Sequence, residues 1–117
     1  MNNIIIYNTD DGQASVKLYA NDGTVWLTQA QMAELFSRER SGITYHIKHI
    51  FKEGELDEKS NVRFFHFANS DKPVKLYSLE VILAVGFRVK SPRGTQFRRW
   101  ANSSLKEYLQ KGFLLDD

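Results

Sequence analysis

The 117-residue chain has no cysteine. That excludes disulfides, iron–sulfur clusters and cysteine-based zinc sites, and it fits an intracellular protein. Long apolar runs are missing as well. The opening MNNIIIYNTDDG has three consecutive isoleucines and no basic segment ahead of them. It reads as neither a secretory signal nor a membrane span, and a soluble, cytoplasmic protein is expected. No repeat, low-complexity tract or Pro/Gly linker divides the sequence, so a single domain over residues 1–117 is expected. Gly-rich phosphate loops, H-E-x-x-H and G-x-S-x-G are all lacking. His46 and His49 lie three apart on one helical stretch, with no acidic residue at matching spacing there. His46 flanks an apolar stripe and reads as structural rather than as a metal ligand. The acidic run EGELDE at 53–58 reads as a solvated loop. Neither an enzyme nor a cofactor, metal, membrane or small-molecule substrate is expected.

An apolar share of 42 % and an aromatic share of 13 % make the chain globular. The net charge of +2 hides an uneven distribution. Over residues 1–37, Lys17 alone stands against Asp10, Asp11, Asp22 and Glu34, a net of −3. Over residues 88–111, Arg88, Lys90, Arg93, Arg98, Arg99, Lys106 and Lys111 stand against Glu107, a net of +6. A segregated basic half favours a polyanionic partner, although cations at helix C-termini also produce such an excess.

The pattern of elements predicts an α+β fold. Ile4–Tyr7, SVKLYA and TVWL, separated by the turn sequences NTDDG and NDG, read as a short N-terminal antiparallel sheet. Thr28 with Gln31 forms a capping box for a short helix carrying Met32, Ala33, Leu35 and Phe36. A second helix is predicted over 41–52, with Gly54 as its stop. NVRFFHF and VKLYS form a hairpin around Ala68–Pro73. Ser78 caps a helix that is apolar nearly all round and should be buried. A last helix over about 94–111 places Phe97, Trp100, Ala101, Leu105, Tyr108 and Leu109 on one face, with Gly112 as its cap. Helix–turn–helix followed by a two-stranded hairpin is the winged helix–turn–helix order.

Helix–turn–helix readers need a small residue at the close approach of the two helices and an apolar stripe on the second. Ala33, then Ser37 at the turn, and Ile43, Ile47 and Ile50 supply these. The opposite face offers Arg40, Ser41, Thr44, Tyr45 and Lys48 to base edges of double-stranded DNA. Lys52, the hairpin-tip residues Lys72 and Lys75, and Arg93, Arg98 and Arg99 are the expected phosphate holders. Arg38 departs from the template, because the position after the turn residue is normally apolar and seals the joint. A protein–protein or antirepressor module remains the alternative reading, and a symmetric homodimer is the usual design for reading a palindrome.

VWLTQAQMAELF (25–36), I-x-x-HIKHIFKEGEL (43–56), AVGFRVKSPRGTQFRRWA (84–101) and LKEYLQKGF (105–113) resemble the N-terminal part of the RhuM virulence-protein family. FRRWANSSLKEYLQKGF is similar, more weakly, to the end of phage antirepressor domains of the BRO and KilA-N type. The resemblance implies a bacterial mobile-element or virulence-associated regulator whose N-terminal region binds DNA. It also implies a longer natural chain, and under the alternative reading the domain would target a partner or a C-terminal effector region. It carries over no catalytic residues, and in the family an apolar residue typically stands where Arg38 does.

Overall fold

The computed structural model describes residues 3–115. Three strands open it: β1 (Asn3–Asn8), β2 (Ser15–Asn21) and β3 (Thr24–Leu27). Then come α1 (Gln29–Phe36), α2 (Arg40–Lys52) and the one-turn α3 (Glu58–Asn61). β4 (Val62–Phe65) and β5 (Val74–Ser78) make a hairpin, followed by α4 (Leu79–Val89), α5 (Pro92–Trp100), a π-helical turn (Ala101–Leu105) and α6 (Lys106–Leu115). The fold is α+β. Among the described residues no helix is long and apolar enough to cross a membrane.

The N-terminal strands and the hairpin join in one five-stranded antiparallel sheet, ordered β1-β2-β3-β5-β4. Strand alternation decides its faces. Ile5, Tyr7, Val16, Leu18, Val25, Leu27 and Tyr77 point into one core with the helices. Trp26 lies on the other face, under the Arg63 guanidinium, 4.6 Å from the ring centroid. Arg63 also pairs with Asp22, so this strand arginine is committed to holding the hairpin against β3.

α1 begins and α2 ends where local chemistry predicts. The Thr28 hydroxyl accepts from the Gln31 amide at 3.1 Å, and Gln31 Oε1 accepts from the Thr28 amide at 2.9 Å. At the end of α2, Gly54 adopts φ 75°, and the Glu55 amide reaches back to the Ile50 carbonyl at 3.0 Å. This 6→1 closure needs a left-handed residue, which glycine adopts without strain. Ile43, Ile47 and Ile50 are buried as the stripe predicts.

Four expectations change. Lys75 is not at the hairpin tip but within β5, paired with Phe64, because the tip lies in the loop between Phe65 and Val74 and the VKLYS strand begins before Lys75. Asn61 closes α3 instead of opening the strand: its side chain donates to the Asp57 carbonyl at 2.7 Å and accepts from the Ser78 hydroxyl at 2.6 Å. The last helix starts at Pro92 and widens to a π turn over Ala101–Leu105 before running on through Gly112 to Leu115. At that turn the Lys106 amide bonds the Ala101 carbonyl five residues back, and the added residue rotates Tyr108 into solvent. α4 is buried on one side only, with Phe87 left 68 % exposed.

Candidate nucleic-acid interface

The joint between α1 and α2 is built from left-handed backbone and an outward arginine. Ser37 takes φ 54°, and the Arg38 amide bonds the Ala33 carbonyl at 3.0 Å. The Arg38 side chain turns away from the joint and donates to the Val89 carbonyl at 3.3 Å, at the open end of α4. A cation there complements the helix dipole and caps an orphan carbonyl. The atypical residue therefore ties α2's entry to α4, and the joint is sealed by Phe36 and Ile43 behind it.

Beyond the joint, α2 presents its polar face to solvent. Arg40 and Ser41 are exposed in its first turn. Tyr45 follows on the crest, 58 % exposed, with its ring 4.3 Å from that of His49. His46 is half-buried beside it. Burial, then the neighbouring Arg88 and His49, lower its pKa below the ordinary histidine value, which favours the neutral ring. Arg88 closes this side of the helix by pairing with Glu53 and Glu55 at 2.8 and 2.9 Å.

On the other side, α2 and the hairpin enclose an open cleft of about 490 Å³. Thr44, Lys48 and Lys52 line it from α2, Lys75 and Tyr77 from β5, and Gln29 from α1. Its floor is a hydrogen-bonded chain. Gln29 donates to the Tyr77 hydroxyl at 3.1 Å, and the Thr44 hydroxyl lies 3.0 Å from both Gln29 Oε1 and the Arg40 carbonyl. The Lys75 ammonium sits 5.6 Å from the Tyr77 ring and 5.9 Å from the Phe64 ring, at cation–π distance. Glu58 is the one acidic residue on the rim. Arg40, Lys48, Lys52 and Lys75 have no ion-pair partner among the described residues. Three lysines from two elements thus converge on one open concavity, an arrangement that attracts a multiply charged anion.

The remaining expected phosphate holders lie elsewhere. Lys72 is exposed in the hairpin loop and does not line the cleft. Arg93 is only 14 % exposed. Its nitrogens donate to the Asp11 carboxylate and, at 2.8 Å, to the Glu34 carbonyl, clasping the β1–β2 turn and α1. The Thr9 hydroxyl, the Gln13 amide and Arg93 hold the Asp11 pKa at about 2, so this clasp stays ionised in mild acid. Arg93, expected as a phosphate holder, is thus engaged within the fold as a clamp between the β1–β2 turn and α1. Arg98 borders a second cleft of about 400 Å³ between α4 and α5, with Phe87, Lys90 and Pro92 over a floor of Gly86 and Gly94. Arg99 is exposed beside it on α5.

Sequence reasoning missed Gln29, Tyr77 and Phe64. Gln29 reads as an ordinary first-turn residue, and only the β3–β5 pairing brings Tyr77 beneath it.

These elements define an α+β domain with a basic helix-and-hairpin cleft. Residues 57–117 match the family described as the virulence protein RhuM family, and the chain belongs to that family. The match takes in the hairpin, α4 and the helices after it, including the 84–101 and 105–113 segments; α1 and α2 lie outside it. No curated protein and no solved structure matches the chain.

Proposed function

We propose that this domain binds double-stranded DNA as a winged helix–turn–helix, in a bacterial virulence-associated or mobile-element regulator, and that it works by binding rather than by catalysis. α2 enters the major groove, with Arg40, Ser41, Thr44 and Tyr45 toward base edges. Lys48, Lys52 and Lys75 hold the flanking backbone. The observation that supports this reading is the convergence of Thr44, Lys48 and Lys52 from α2 with Lys75 from the hairpin on one cleft. Lysine donors reach phosphate without steric demand, while a helix is the right width for the major groove. Thr44 enters the site pre-oriented by Gln29, so it loses little freedom on binding.

A fluorescence-anisotropy titration of a labelled duplex at two salt concentrations tests the proposal. With three or four phosphates neutralised, the logarithm of the association constant should fall against that of salt with a slope of about −2.7 to −3.6. Absence of binding at low salt would remove the reading.

The α4–α5 cleft favours a second reading, a protein partner, because it exposes Phe87 beside Lys90 and Arg98. An acidic segment with an apolar anchor has the complementary chemistry. On that reading, substitution of Lys48 leaves the partner's affinity unchanged and substitution of Phe87 abolishes it.

A further inference from the structure

We propose that Phe64 is a wedge that enters the DNA at a base step beside the lysine cleft and bends the duplex. The inference rests on the DNA-binding reading and adds to it a residue that sets deformation and step preference.

Phe64 is 64 % exposed on β4, the edge strand of the sheet among the described residues. In antiparallel strands, directly opposed residues project to the same face. Phe64 is opposed to Lys75, which lines the cleft, so the phenyl ring stands on the cleft side of the hairpin. Its neighbours along the strand point the other way and are anchored there. Arg63 lies over Trp26, and Phe65 packs its ring 5.3 Å from Phe67, which in turn meets Tyr19 at 5.4 Å. The hairpin loop is thereby folded back onto the outer face of the sheet. Both contacts hold β4 in place and leave Phe64 presented from a rigid strand.

A phenyl ring cannot hydrogen-bond phosphate. With Lys75 beside it and Lys48 and Lys52 across the cleft to hold the backbone, the ring is the exposed apolar group on the hairpin's side of the cleft, and in the proposed complex it meets the stacked bases from there while α2 reads base edges. Apolar side chains in such positions insert partway between base pairs and kink the duplex. The cost of unstacking is least at TA and CA/TG steps, so the wedge gives a preference for those steps without any hydrogen bond to a base.

The test uses a mixed-sequence duplex rich in TA and CA steps, labelled at both ends. Energy transfer between the labels reports bending, and anisotropy reports affinity. Wild-type protein should bind and shorten the end-to-end distance. Phe64→Ala should bind roughly tenfold or more weakly and leave the duplex straight. Phe64→Trp should keep both properties, and Lys48→Ala should bind more weakly while the bound fraction remains bent. Both Phe64 variants should unfold at the wild-type temperature, since the ring is outside the core. Wild-type binding without bending, or a Phe64→Ala variant that binds and bends like wild type, overturns the wedge and leaves the DNA reading intact. No duplex binding by wild type at low salt overturns both.

Discussion

Gly94→Ala should lower stability by about 3 kcal/mol, the upper end of what overpacking costs, and the unfolding midpoint by roughly 10 °C. A Cβ built on Gly94 would lie 2.6 Å from the Gly86 carbonyl oxygen and 3.4 Å from the Gly86 Cα. The obstacle is backbone, which no side-chain rotation can relieve. α5 would have to lift off α4, taking with it Phe97, whose ring meets Tyr7 at 5.3 Å and Phe36 at 6.3 Å. The same substitution at Gly42 supplies the contrast. Nothing lies within 4 Å of its added Cβ, so Gly42→Ala should raise stability by up to about 1 kcal/mol through helix propensity alone. Thermal unfolding of the two variants checks opposite signs for one chemical change.

The second large effect is functional. Reversing Lys48 and Lys75 together to glutamate should weaken duplex binding by roughly a hundredfold or more at low salt and flatten its salt dependence by about two units of slope or more. Both side chains are exposed and without an ion-pair partner among the described residues, so the unfolding temperature should stay close to wild type. The same pair of reversals at Arg98 and Arg99 should do less, because neither lines the α2–hairpin cleft.

Much of the fold was legible in local chemistry. The Thr28–Gln31 capping box, the Ser78 cap and the Gly54 stop each depend on residues a few positions apart, and all three form as expected. The isoleucine stripe of α2 was equally plain, since a 3.6-residue period identifies its own buried face. What escaped depends on partners distant in sequence. Arg93 looks like a free cation near a helix start. It becomes a clamp only because Asp11, 82 positions away, lies beside it in the fold. Lys75 was expected at the hairpin tip and lies within β5 opposite Phe64, as the hairpin's register was not readable from a β-rich run with several aromatic residues. Arg38 broke the helix–turn–helix pattern because its partner, the Val89 carbonyl, belongs to another helix. The candidate site was therefore half visible: its α2 wall could be read from periodicity, and its hairpin wall and hydrogen-bonded floor could not.

In the proposed complex the α2–hairpin cleft, rather than the basic surface of α5, meets DNA. The most direct measurement is a nuclear magnetic resonance titration of the isotope-labelled protein with duplex DNA at low salt. Amide shifts should concentrate on Arg40–Lys52 and on the β4–β5 strands, with Lys48 and Lys75 among the largest. Shifts confined to Phe87, Lys90, Arg98 and Arg99, with α2 unmoved, would contradict this placement.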